Sequence, residues 1–166
     1  MVDYYSMASF AFLCTVEEAT ILAQAFEIAL DLQLERDPGQ PDKSFFDIFP
    51  PMPDDPFASF RAIFPDPDFP ELGADLDVTI PPGDPDMRAV AILGMSHFQH
   101  EAVATLIQRA CQTSLVRSPV GFEWSLSCSR PRTDGFGGGW CAVFHDRIEF
   151  ETTGEVLARA LEGGCI

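Results

Sequence analysis

Apolar and polar positions divide the chain into three strand-to-helix stretches. Tyr4 to Leu13 (YYSMASFAFL) is aromatic-rich and reads as a strand. Thr15-Val16-Glu17-Glu18 follows as a capping box, with Thr15 the N-cap and Glu18 three residues on. The helix it opens runs to about Leu34 and is ended by Pro38-Gly39. Val16, Ala19, Ala23, Phe26 and Leu30 step along it by threes and fours, so they are expected to share its buried face.

The second stretch begins with Leu76, Val78 and Ile80 alternating against Asp77 and Thr79, a half-buried strand. PPGDPD turns the chain, and Met87 to Leu93 reads as a more central strand. Ser96-His97-Phe98-Gln99 has the form of a second capping box. It predicts a helix from His97 to about Gln112 with Phe98, Ala102, Leu106 and Ala110 inward. In the third stretch Phe122, Trp124, Leu126 and Cys128 alternate with Glu123, Ser125, Ser127 and Ser129, giving one dry face and one wet face. RPRTDGFGGG reads as a turn and Trp140 to Phe144 as the partner strand, with Cys128 and Cys141 facing each other across the hairpin. Ile148 to Phe150 is a further short strand. Thr152-Thr153-Gly154-Glu155 is a third capping box, and Val156, Leu157, Ala160 and Leu161 form the face of the last helix.

The order β-α, linker, β-β-α, β-β-α defines an α+β fold, with an antiparallel or mixed sheet and helices mainly on one face. A ferredoxin-like core is expected within residues 87–162. The whole chain, 1–166, reads as a single domain with an insert at 37–86.

That insert has a composition of its own. It contains 12 of the 14 prolines, seven phenylalanines, and 12 acidic residues against two cations, Lys43 and Arg61. It also carries a repeat, S-F-x-x-I-F-P, at Ser44–Pro50 and Ser59–Pro65. Each copy is expected to form a short helix that starts at its serine and is stopped by its proline. Six exposed apolar side chains would be costly, so Phe45, Ile48, Phe49, Phe60, Ile63 and Phe64 are expected to be buried, with the aspartates turned outward.

Charge then narrows the function. Asp and Glu number 26 against 10 Lys and Arg, a net charge of −16 over 166 residues. A mean hydropathy of +0.07 marks a core-forming chain. Direct nucleic-acid binding needs a cationic face, and anionic membranes are disfavoured on the same grounds; a basic protein partner is favoured. No signal peptide or spanning segment is expected, and five cysteines, an odd number without CxxC, read as reduced thiols in a cytoplasmic protein. Cys165 in GGCI does not fit a prenylation box.

Candidate chemistry is sparse. His97 and His100, with Glu101 beside them and His145 as a distant third, stop at two near ligands, so no tightly bound zinc is expected. Gly135 to Gly139 does not lead into a helix and reads as a hairpin turn, not a phosphate cradle. Asp54-Asp55 and Asp66-Pro67-Asp68 lack calcium-loop spacing and read as solvated charge. No motif names a reaction, so no catalytic residue, metal or cofactor is expected.

The acidic, arginine-over-lysine profile resembles accessory proteins of phages, plasmids and toxin–immunity loci. That resemblance implies a non-enzymatic inhibitor of a basic, nucleic-acid-binding or toxin protein, acting by charge mimicry. An anti-CRISPR or other DNA mimic and an immunity protein are its two forms. The partner-binding residues are then Asp54, Asp55, Asp66, Asp68, Asp75, Asp77, Asp84 and Asp86. The alternative is a small, dimeric ligand-binding or regulatory α+β domain.

Overall fold

Thr15 ends the first strand and starts the first helix at the same time. Its backbone is extended (φ −72°, ψ 162°), its hydroxyl accepts from the Glu18 amide at 3.2 Å, and the Glu18 carboxylate accepts from its own amide at 2.9 Å. β1 (Tyr4–Thr15) therefore passes into α1 (Val16–Gln33) without a loop. This is a computed structural model, which describes residues 2–163; Cys165 lies outside the described residues. The chain continues through α2 (Lys43–Ile48), α3 (Ala58–Arg61), β2 (Asp75–Thr79), β3 (Met87–Gly94), α4 (His100–Ala110) and α5 (Gln112–Arg117). It ends in β4 (Val120–Cys128), β5 (Gly137–Val143), β6 (Ile148–Thr152) and α6 (Thr153–Gly163).

The six strands form one antiparallel sheet in the order β2-β3-β1-β4-β5-β6, and with the helices this is an α+β fold. β1 stands between β3 and β4, so within residues 87–162 β4, β5 and β6 pair with one another while β3 is separated from them. The pairing of β1 is divided along its length. Tyr4–Met7 pair with β4, from Tyr4↔Cys128 to Met7↔Ser125, whereas Ala8–Thr15 pair with β3, from Ala8↔Gly94 to Thr15↔Met87. Continuing the first register would set Ala8 opposite Trp124 and Ser9 opposite Glu123, but no pairing is made there. The strands part on this line, while Phe10 and Phe122 remain stacked beneath it with ring centroids 4.3 Å apart.

Alternation along the strands separates two faces. Phe10, Phe12, Cys14, Val90, Ile92, Phe122, Cys141 and Val143 point toward α1 and α4 and belong to one contiguous core cluster. The other face carries Met7, Ser9, Ala11, Leu13, Leu93, Glu123, Ser125 and Trp140, and the main helices leave it uncovered. No helix among the described residues is long and apolar enough to cross a membrane.

Several details depart from the periodic reading. The buried side of α1 is Ala19, Leu22, Ala25, Ala29 and Leu32; Val16 and Leu30 are exposed. The helix is apolar over most of its circumference, so spacing alone does not choose the face, and Phe26 and Leu30 instead line a cavity of about 490 Å³ against β2. Ser96 caps nothing. The segment 96–98 runs beside β1, with the Ser6 amide donating to the Ser96 carbonyl (2.7 Å) and the Phe98 amide to the Ser6 carbonyl (3.1 Å). The helix consequently starts at His100, after Gln99.

Of the glycine run, Gly135 lies in the connection between β4 and β5, as expected of a turn, but Gly137–Gly139 are strand. Gly138, at φ 142°, leaves no room for a Cβ, which would lie 2.2 Å from the Trp124 carbonyl oxygen; one on Gly139 would lie 2.4 Å from that of Glu151. The hairpin register places Cys141 opposite Phe122, so Cys128 and Cys141 do not face each other. The third capping box is present, with reciprocal Thr152–Glu155 bonds of 3.2 Å, yet α6 buries none of its side chains.

Residues 43–64 are anchored by aromatic packing. Phe45, Phe49 and Phe60 are completely buried, Phe57 and Phe64 nearly so, and Ile48 and Ile63 pack against them from partly buried positions. Ring centroids in the Phe45–Phe49–Phe60 triangle are 5.1–5.3 Å apart. The serines of the repeat are inside the two short helices, not at their starts, which are Asp42 and Phe57. Ser59 instead donates to the Pro50 carbonyl at 2.8 Å and so ties the end of one repeat to the next. Truncating this cluster is expected to leave a cavity that the prolines stop from collapsing. Phe60→Ala should cost ~3–5 kcal/mol in urea unfolding, against under ~0.5 kcal/mol for the exposed Asp54→Ala. Similar costs for the two would show that the aromatic cluster is not what holds the segment.

Candidate functional site

The eight aspartates do not form one patch. Asp54, Asp66 and Asp68 are exposed in the two turns that follow the phenylalanine repeats. Asp75 and Asp77 project from β2 at the edge of the uncovered sheet face, and Asp84 and Asp86 occupy the turn between β2 and β3. Asp66 accepts from the Asp68 amide at 3.1 Å, and Asp55 differs from the rest in being the one that meets a cation. One of its oxygens accepts from the Phe57 amide and the other meets the Arg61 guanidinium, each at 3.0 Å. Arg61 also donates to the Pro67 carbonyl at 3.1 Å, which clamps the two acidic turns together. The other seven have no cation within 4.0 Å among the described residues.

A trough of about 870 Å³ lies on the uncovered face where β1 and β4 part. Its sides are Met7 and Ser9 from β1, Leu93 and Met95 from β3 and its continuation, and Glu123, Ser125 and Trp140 from β4 and β5. Met7, Leu93, Met95 and Trp140 are exposed, by 43%, 42%, 74% and 38%. α6 borders the trough at one end. Its Val156 lines the cavity, and its Arg159 reaches the Glu151 carboxylate at 2.6 Å. That contact holds the Glu151 carboxyl below the usual carboxylate range.

No family model, curated protein or solved structure matches the chain. Its function is therefore read from the arrangement of its own side chains.

The three histidines lie in different parts of the fold. His97 is exposed in the segment beside β1, where its carbonyl oxygen packs against Gly73; a Cβ on that glycine (φ 66°) would lie 1.8 Å away. His100 opens α4 and lies flat on Trp124, with ring centroids 4.3 Å apart and planes 12° apart. His145 is in the turn between β5 and β6. No group of three or more His, Cys, Asp or Glu side chains that could hold a metal ion occurs among the described residues.

Two features escaped periodic reading because they join distant positions. Glu18 is a buried carboxylate: besides capping α1, it accepts from the Ser114 amide at 3.2 Å and from the Ser114 hydroxyl, pinning α5 to α1. Beside it Cys14 and Cys111 are fully buried, and the hydrogen bond to Cys14, with burial, pushes the Cys111 thiol strongly upward. Cys141 is pushed up to about 12 by burial, with the Glu101 charge adding to the shift. No sequence motif marks either contact; the signal is only a capping-box glutamate, three residues after the N-cap, in an apolar setting.

Burial against Trp124 lowers the pKa of His100 below its ordinary 6.5, with Glu101 opposing the shift. The unfolded chain therefore takes up a proton at this position before the folded chain does. The contribution of His100 to stability is present at neutral pH and declines as pH falls through ~6.5. Urea midpoints measured from about pH 7.5 to 5.5 should fall more steeply for the wild type than for His100→Phe, which keeps the stack without the titrating ring. Parallel curves would show that the stack does not resist protonation.

Proposed function

We propose that this protein is a non-enzymatic acidic binding protein that occupies and inhibits a basic surface on another protein. The observation that carries this reading is the set of seven aspartates, Asp54, Asp66, Asp68, Asp75, Asp77, Asp84 and Asp86. All are exposed and have no cation within 4.0 Å among the described residues, and the acidic turns among them are braced by buried phenylalanines and by Arg61. Carboxylates held on a packed scaffold lose little conformational freedom on binding. They are already hydrated at the surface and act at long range, which speeds encounter with a cationic partner. A nucleic-acid-binding groove and a cationic toxin site both have that chemistry, so an anti-defence protein and an immunity protein are the two forms of the proposal. Four cysteines free of disulfides are in keeping with a cytoplasmic setting. For the first four strands, the neighbour order β2-β3-β1-β4, all antiparallel and crossed by α1 and α4, supports a ferredoxin-like reading.

The test is affinity capture at low and high salt with wild-type protein and with Asp54, Asp66, Asp68 and Asp84 all changed to Lys. Asp55 is left in place because Arg61 depends on it. The expected result is a basic protein retained at low salt, released at high salt and lost from the variant while the variant's circular dichroism is unchanged. Retention of the same partner by the variant at both salt concentrations would overturn the reading.

A further inference from the structure

We propose that the trough on the uncovered sheet face docks a basic amphipathic helix of a partner protein. This rests on the acidic-binder reading and names the shape of what is bound. A single row of side chains crosses the face in register. Asp75 pairs with Leu93 and Leu93 with Ser9; beyond the unpaired line, Glu123 pairs with Trp140 and Trp140 with Glu151. Bonded strands lie ~4.8 Å apart, so the two bonded steps from Asp75 to Ser9 span ~10 Å, and the unbonded step on to Glu123 is wider, which sets Asp75 and Glu123 more than ~14 Å from each other. An α-helix is ~10–12 Å across with its side chains. One helix lying along the strands thus fits between these two acidic margins, with Leu93 and Ser9 beneath it.

The floor suits a helix as well. Ser9, Ala11, Ala89 and Ala91 keep it low along the centre, and Met7 and Leu93 offer apolar contact. At one end α6 lies beside the trough, although none of its side chains is buried. α6 is an amphipathic helix that contributes Val156 to the cavity and sets Arg159 on Glu151. A docked helix would repeat that contact along the rest of the trough, with apolar side chains on Leu93, Met95 and Trp140 and cations on Asp75, Asp77 and Glu123.

Charge disfavours a face-to-face pair of this chain as the occupant. On this side Arg147, just before β6, and Arg159 of α6 are each already held, by Glu149 at 3.2 Å and Glu151 at 2.6 Å. Asp75, Asp77 and Glu123 have no cation within 4.0 Å among the described residues. Setting this face against its own copy therefore brings acid to acid, and each copy adds a further sixteen net negative charges.

The probe is a short synthetic leucine–lysine helix with all its leucines on one side, compared with a scrambled isomer of equal charge and with a leucine–glutamate counterpart. Binding is followed by titration calorimetry and by the emission of Trp140, using Trp140→Phe to assign the signal. The amphipathic isomer should bind about ten-fold or more tightly than the scrambled one and shift Trp140 emission to the blue, because only it can bury apolar side chains on the trough. Leu93→Asp should abolish that preference. Met95→Asp, at a still more exposed position, serves if Leu93→Asp does not fold. Equal binding of both lysine isomers would overturn the docking proposal while leaving the acidic-binder reading intact. Binding of neither, or preference for the glutamate helix, would overturn both. Concentration-dependent dimerisation that buries Trp140 would identify a second copy as the occupant and overturn the proposal.

Discussion

The molecule depends on β1 being bonded to different partners along its two halves. With Tyr4–Met7 it holds β4, β5 and β6; with Ala8–Thr15 it holds β3 and β2. Neither half of the sheet is bonded to the other except through this strand. The change of partner is also what opens the face. Backbone pairing with β4 stops after Met7, yet the stacked rings of Phe10 and Phe122 keep the gap closed on the core side. The result is a depression with an aromatic base that is open only toward solvent.

A comparison of magnitudes explains why so acidic a segment is ordered. Burying one phenylalanine contributes ~1.5–3 kcal/mol, and five are buried between Phe45 and Phe64. Repulsion between exposed carboxylates is ~1 kcal/mol at 4 Å in water, and salt weakens it further. Packing wins wherever the charges can stay hydrated. Arg61 shows what is needed where two acidic turns approach each other: a single guanidinium between Asp55 and the Pro67 carbonyl.

Local features were legible in the sequence where a single element decides them. The Thr15–Glu18 and Thr152–Glu155 boxes, the two-sided alternation from Phe122 to Cys128 and the burial of both phenylalanine triplets follow from spacing alone. What spacing could not supply was set by contact between elements. Ser96 has the form of a cap, but its carbonyl is taken by Ser6, and the helix therefore starts later. Gly137–Gly139 has turn composition, but at Gly138 and Gly139 the strands on either side approach too closely for a side chain. The aspartates are adjacent in composition, yet β2 carries two of them to the far face of the sheet. The trough itself was invisible, since Met7, Leu93 and Trp140 meet only through the order of the strands.

The split pairing of β1 also has a consequence for how the chain reaches its native state. Of the six described strands, the one that joins the two halves of the sheet is made before all the others. Tyr4 has no partner until Cys128 is made, and Thr15 has none until Met87 is made. Contacts this distant in sequence are associated with slow closure of a sheet. Throughout that wait the aromatic strand YYSMASFAFL is exposed as an unpaired edge, the kind of segment that draws chains into aggregates. The surplus of carboxylates, read above as a means of binding, would during synthesis keep one nascent chain away from the next.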